Sequence, residues 1–385
     1  MRIALVAPLA EAVPPKLYGG TERVVSWLAE ELVRQGHRVT LFASAESETA
    51  AELVVSAAKS LRLAGIRDHL GSTLAMLREV RRHADDFDII HFHVDLLPQA
   101  LFHDLADKCL VTLHGRLDSP ETLPLYKAYP EMPLVSISTA QRRPMPADAN
   151  WLATIPHGLG SHVCPFAPEG GSYLAFLGRI SPEKRPDRAI EIAKRAGIPL
   201  KLAAKVDAVD LEYFETEIEP LLGHPLIEFI GEIDETQKCE FLGKARALLF
   251  PIDWPEPFGL VMIEAMSAGT PVIAWPNGSV PEVITEGVSG RIVDSIESAV
   301  EAVQEAAHMD RRKVRAEFEK RFTAARMARA YVTAYRSLLA GVPANAGVAE
   351  VAEVAMPLVA AREVSPLAWE RIAKQGGTRV LNPAG

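Results

Sequence analysis

The chain has 385 residues, enough for two domains of ordinary size, and its 48% hydrophobic and 24% charged content is that of a soluble globular protein. It carries 41 basic and 50 acidic residues, a formal charge of −9, which argues against general nucleic-acid binding. Cys109, Cys164 and Cys239 are far apart and odd in number, which argues for a reducing compartment and against a disulfide framework or a zinc site. No segment reaches the roughly 18 consecutive apolar residues of a membrane span. The apolar start, Met1 to Ala10, is short and broken by Pro8, so it reads as a first strand rather than a signal peptide.

Apolar runs then alternate with helical patterns, the signature of β-α units and parallel sheets. Ile3–Ala7 is the first predicted strand. A helix opens at Gly20, turns Val24, Val25, Leu28, Leu32 and Val33 inward, and ends at Gly36. Further strands are predicted at Val39–Ala43, Ile89–Phe92, Leu110–Leu113 and Leu134–Ile137. The stretch from His157 to Gly171, rich in Gly and Pro, reads as a crossover between domains. A second set of units starts at Tyr173–Leu177, with strands at Leu200–Ala203, Ile227–Ile230, Ala247–Phe250, Val272–Ala274 and Arg291–Val293. Helices are expected at Pro186–Arg195 and Gly259–Ala268, and one or two more over 311–339. From Gly341 the composition shifts to Ala, Val, Pro and Gly, and 341–385 reads as a tail.

The most informative stretch is Glu256-Pro257-Phe258-Gly259-Leu260-Val261-Met262-Ile263-Glu264. Pro257 fits the first turn of a helix, where its missing N–H costs nothing. Gly259, Leu260 and Val261 would present backbone N–H groups to a phosphate. Glu264 would lie inside the helix and Glu256 at its mouth. Two carboxylates so placed suit a nucleotide-sugar, one for sugar hydroxyls and one for ribose. Arg179 and Lys184, five residues apart in a loop after a strand, offer a fork and a point charge to one anion. Ligands bind beyond the carboxyl ends of parallel strands, and Gly19-Gly20, His114, Arg179 and Glu256 all fall at such ends.

Asp86-Phe87-Asp88 imitates a metal-binding Asp-x-Asp but leads into the apolar Ile89-Ile90, so it reads as a loop entering a strand. His91 and His93 share one face of a strand, yet no clear further ligands accompany them, and no metal is assigned. Either histidine could pack in the first domain or face an acceptor.

These pieces resemble the family 4 glycosyltransferases. The resemblance rests on Glu256-x7-Glu264, Tyr18-Gly19-Gly20-Thr21-Glu22, His114-Gly115, Gly178-Arg179-Ile180-Ser181-Pro182-Glu183-Lys184, Phe229-Ile230-Gly231 and Ser279-Val280-Pro281-Glu282-Val283-Ile284. It implies the GT-B fold: two facing Rossmann-like domains with parallel sheets and a cleft between them. The expected division is an acceptor-side domain over 1–165, a nucleotide-sugar domain over 166–324, and a last helix near 325–340 crossing back onto the first domain. The implied reaction is retaining transfer of a hexosyl group from a nucleotide-diphosphate sugar, without metal or other cofactor. Arg179 and Lys184 would meet the donor diphosphate, Glu256 the donor sugar, Glu264 the ribose, and His114 the reacting centre. Gly19, Gly20, Lys205, Gly231, Phe258, Gly259 and Leu260 complete the expected donor site. Glu282 reads as a supporting helix-start residue.

Many members carry a glycine-rich turn where this chain has Ala203-Ala204-Lys205-Val206-Asp207, which leaves the base open. A UDP-sugar is favoured, with GDP- or ADP-sugars as alternatives. The acceptor, whether glycan, lipid-linked or small-molecule, with a membrane lipid among the alternatives, would meet first-domain loops near Tyr126, Tyr129, Arg142 and Arg143. A cytoplasmic site of action is expected, with at most peripheral membrane contact; the basic run 311–315 reads as solvated helix charge. The competing readings are a GT-B phosphorylase or epimerase, and a non-catalytic nucleotide-sugar sensor.

Overall fold

The structure, a computed structural model, describes residues 1–16, 19–160 and 164–341. Tyr18 and nearly all of the predicted tail lie outside the described residues. Two parallel sheets organise the chain. The first has seven strands: β1 (Arg2–Val6), β2 (Arg38–Ser44), β3 (Glu52–Ala57), β4 (Ile89–Phe92), β5 (Cys109–Thr112), β6 (Leu134–Ser136) and β7 (Trp151–Thr154). Their order is β3-β2-β1-β4-β5-β6-β7. The second has six: β8 (Tyr173–Arg179), β9 (Leu200–Lys205), β10 (Ile227–Gly231), β11 (Ala245–Phe250), β12 (Val272–Ala274) and β13 (Gly290–Ile292), in the order β10-β9-β8-β11-β12-β13.

Central strands are apolar on both faces because helices cover both sides of a parallel sheet. In the first sheet Val6, Phe42, Phe92 and Val111 pack with Met76 and Val80 of the Leu70–Arg82 helix. In the second, Phe176, Leu202 and Leu249 pack with Ile190 and Val303. Each such side chain contributes about 1.5–3 kcal/mol by leaving water. The predicted strands all form, with ends that match or shift by one or two residues. Edge strands β3 and β7 and the Leu70–Arg82 helix were not predicted. β3 is half-buried along most of its length, and its apolar run is only Leu53-Val54-Val55.

The chain divides into two compact units. One comprises Met1–Ile137, Pro144–Ile155 and the stretch from Met327; the other comprises Ser138–Arg143 and Pro156–Arg326. Residues 311–339 form two helices, Arg311–Arg321 and Ala324–Leu339. Thr323, between them, bridges to Leu159.

The cysteine reading needs correction. Cys164 and Cys239 are joined, with Cα atoms 5.0 Å apart. Separation along the chain did not reveal that the crossover segment passes beside the Glu235–Gly243 helix. Cys109 is a buried free thiol, pushed up to about 12 by burial.

Candidate active site

In each sheet the strand order reverses once, between β1 and β4 and between β8 and β11. Such a reversal parts the loops at the carboxyl ends and opens a crevice. In the second unit Arg179 ends β8, Lys184 follows in the next loop, and Glu256 follows β11. The two loops are tied together by the Asp253 N–H, which donates to the Glu183 carbonyl at 2.8 Å.

Lys184 Nζ donates to the Glu256 carboxylate. It also stands 4.5 Å from the Trp254 ring centre, a cation–π contact. Trp254 Nε1 donates to the same Glu256 oxygen at 3.0 Å. The backbone of Glu256 is clamped: its carbonyl accepts the Ser279 N–H at 2.9 Å, and Gly278 lies so close that a Cβ there would be 2.2 Å from it. Gly278 is therefore a residue of the site that the sequence reading missed.

The helix after Glu256 runs Leu260–Ser267, capped by Gly259 with φ of 78°. That left-handed turn favours glycine, and a Cβ would also meet Met262 at 2.8 Å. Pro257 therefore lies in the approach loop, not in the first helical turn as predicted. The exposed N–H groups of the helix start are those of Leu260 and its neighbours. Glu264 lies inside the helix, 5% exposed, and accepts from Lys238 Nζ at 2.6 Å. Lys238 comes from the Glu235–Gly243 helix, started by an Asp234/Gln237 capping box. The box could be read in the sequence; the packing of its helix against Glu264 could not.

Arg179 donates to Glu183 at 2.8 Å and lies 3.7 Å from both Asp207 and Asp210. Lys205 pairs with Asp207 at 2.9 Å. Every cation of this group is thus held by carboxylates. Gly231 closes β10 with φ of 76° and open space around its α-carbon. Phe258 departs from expectation: its ring is 3% exposed and packs edge-on to His157 and Phe322, so only its backbone is available to a ligand. Glu282 accepts the N–H groups of Thr139 and Ala140, each at 2.7 Å, capping the short Thr139–Arg142 helix. Glu282 thus lies in the first turn of its own Val280–Val283 helix and also caps a neighbouring one, which the sequence did not indicate.

In the first unit three histidines follow one another. His91 is fully buried, between Tyr335 Oη at 2.8 Å and Thr112 Oγ1 at 2.7 Å. Thr112 meets Tyr331 Oη at 3.0 Å. The ring of His93 lies 4.0 Å from that of His91, and its Nδ1 is 2.9 Å from His114 Nε2. His91 is therefore structural. His114 follows β5; burial pushes it down to about 3, so the ring is neutral at ordinary pH. Gly19 caps the Gly20–Arg34 helix, and a Cβ there would strike Pro15 at 2.8 Å. Among the described residues no group of three or more His, Cys, Asp or Glu side chains is placed to hold a metal ion. No helix among them is long and apolar enough to cross a membrane.

Two parallel Rossmann-like sheets, of seven and six strands, are those of the GT-B fold. The pattern of Glycosyltransferase Family 4 matches residues 18–159 and that of Glycosyl transferases group 1 matches 165–324, so the chain belongs to the family 4 glycosyltransferases, retaining enzymes that use nucleotide-sugar donors. A phosphatidyl-myo-inositol mannosyltransferase of Mycolicibacterium smegmatis is 29% identical over 76% of this chain and 81% of its own. A glycogen synthase of Mycobacterium tuberculosis is 28% identical over 48% of this chain and 49% of its own. Among solved structures, AviGT4, a glycosyltransferase of avilamycin A biosynthesis, matches with a TM-score of 0.68 and 26% identity over 89% of this chain and 98% of its own. Sucrose-phosphate synthase from Thermosynechococcus elongatus shares the fold with a TM-score of 0.71 and 21% identity over 89% of this chain and all of its own.

Proposed function

We propose that the chain moves a hexosyl group, with retention and without metal, from a nucleotide-diphosphate sugar to a hydroxyl acceptor. The observation that carries the reading is the Lys184–Glu256 pair beside the Gly259-capped helix start. The diphosphate would take over the cations now held by carboxylates and accept from the helix-start N–H groups. Arg179 and Lys184 then offset the charge that builds on the leaving phosphate. Glu256, released from Lys184, would face the donor sugar. Glu264, fixed by Lys238, would accept from ribose. His114, neutral and backed by His93, would orient a sugar hydroxyl as a hydrogen-bonding group rather than act as an acid.

Lys205, with Gly19, Gly20 and Gly231, completes the proposed donor site through charge and backbone approach. The domain assignment proposed above follows the same logic, with the acceptor on the first unit. The mannosyltransferase relatives act, by name, on phosphatidyl-myo-inositol, which supports a lipid headgroup as acceptor and a peripheral position at the inner membrane surface. Thermal-shift and turnover screens with UDP-, GDP- and ADP-sugars test the reading. Stabilisation by one donor class, with slow donor hydrolysis, is expected. Binding without hydrolysis or transfer to any acceptor would leave a sensor instead.

A further inference from the structure

A cavity of about 460 Å³ lies in the second unit, lined in part by Gly170, Gly171, Arg246, Asp310, Arg311 and Arg312. Gly171 leads into β8 and Arg246 is the second residue of β11, so the cavity sits at the amino ends of the strands. Arg179 and Glu256 stand at the carboxyl ends, across the sheet. The floor is Arg311, 8% exposed. Its Nε donates to the Ala167 carbonyl at 2.7 Å and Nη1 to that of Ala245 at 3.0 Å. Nη2 donates to the Gly243 carbonyl at 2.9 Å and to Thr270 Oγ1 at 2.6 Å.

These four acceptors are all neutral, and a guanidinium has five N–H groups. The fifth, on Nη1, has no acceptor among the described residues. On that side stands Gly170, whose absent side chain leaves the edge uncovered: a Cβ there would lie 3.8 Å from Nη1. A longer side chain would close it off. Gly171 can carry no side chain at all, since its Cβ would fall 1.3 Å from the Lys244 carbonyl. Burial without a carboxylate partner pulls Arg311 down to about 10. Half-buried Arg246 and exposed Arg312 also lack a carboxylate partner among the described residues. Asp310 is the opposing charge, and one of its oxygens already accepts the Arg312 N–H at 2.9 Å.

Three arginines against one engaged aspartate, around a space of small-molecule size, suit an anion with several acceptor oxygens. We propose that this cavity binds a phosphate ester, free or as a lipid headgroup, at a site separate from that of the nucleotide-sugar. Such a ligand would rest on the open Nη1 edge and be held by the guanidinium forks of Arg246 and Arg312. Its binding would brace the Arg311–Arg321 helix against the start of β11.

Calorimetric titration of the full chain with inorganic pyrophosphate, in the presence of excess UDP, tests this, alongside flotation with phosphatidylcholine vesicles containing phosphatidylinositol phosphate. The Arg246→Ala/Arg312→Ala double variant should fold normally, both side chains being unpaired, and should bind at least about tenfold more weakly. Gly170→Leu, which covers Nη1, should weaken binding too. Arg179→Ala should leave it unchanged, which separates this site from the donor site. Pyrophosphate binding with this dependence assigns a free phosphate ester; vesicle binding alone with the same dependence assigns a headgroup. No binding of either probe, equal affinity in the double variant, or loss in Arg179→Ala would each overturn the proposal.

Discussion

The two sheets present the same strand-order reversal with different chemistry. Near the carboxyl ends of the first, a chain of rings and hydroxyls, His91, His93, His114, Thr112, Tyr331 and Tyr335, is joined by short hydrogen bonds, with an Arg116–Asp118 pair in the loop after β5. At those of the second stand charged groups: Arg179, Lys184, Lys205 and Lys238, each against a carboxylate. Parallel sheets fix where a ligand can sit but not what it is. His91, Thr112, Tyr331 and Tyr335 are buried and bonded to one another, so in the proposed reading only the His114 end of this chain meets a sugar hydroxyl. The charged set suits a diphosphate, which needs cations that can change partners.

The strongest way to break this contrast is to remove the cations. Arg179→Ala and Lys184→Ala should each lower kcat on the order of 100-fold or more, since in the proposed roles each would offset charge on the leaving phosphate. Near-normal turnover in either, with donor shown to bind, would end the assignment. The glutamates divide it more finely. Glu256→Gln should lower kcat by roughly tenfold to 100-fold while nucleotide diphosphate binds about as well. Glu264→Gln should instead raise the donor KM by about tenfold with kcat nearly kept. Lys238→Ala should raise the same KM, since it frees the carboxylate that Lys238 fixes. The opposite split between the glutamates would reverse their roles.

The histidine side is tested by pH and stability. His114 is held down to about 3 against an ordinary 6.5, and His91 well below it. The unfolded chain therefore binds more protons between these values. The stabilisation is full above pH 6.5 and is lost as pH falls toward 3. Urea denaturation across that range should show a smaller slope with pH in His114→Gln than in the parent. An unchanged slope would mean the ring is protonated in the fold. Tyr335→Phe leaves a buried His91 nitrogen without its partner and should cost about 1–3 kcal/mol in stability, with donor KM unchanged. The smallest effect expected is that of excess EDTA, none; turnover lost and then restored by manganese or magnesium would show that the cations do not suffice.

The sequence marks candidate site residues by their place after strands rather than by their side-chain partners. Arg179, Lys184 and Glu256 stand out because they follow apolar runs, whereas Gly259 reads as part of the helix start and is instead its left-handed cap. Pro257 misled, since its fixed φ suits a helix start and an approach loop equally. Lys238, Trp254 and Gly278 could not be found the same way. Lys238 meets Glu264 across 26 residues, and Gly278 lies against the Glu256 backbone across a fold in the chain. The edge strands β3 and β7 carry apolar runs, Leu53-Val54-Val55 and Trp151-Leu152-Ala153, too short to tell a strand from a piece of buried helix.

Residues 138–143 belong to the second unit although both flanks belong to the first. Ser138 Oγ donates to the Pro257 carbonyl at 2.7 Å, and Glu282 grips the next two N–H groups. The polypeptide therefore passes from one unit to the other at 137/138, 143/144, 155/156 and 326/327. A single recombination point near residue 155 would hand Glu282 a foreign loop. Hybrids that exchange acceptor halves between relatives should inherit donor use only if this six-residue insert travels with the donor half, and the same holds for any attempt to express either half alone.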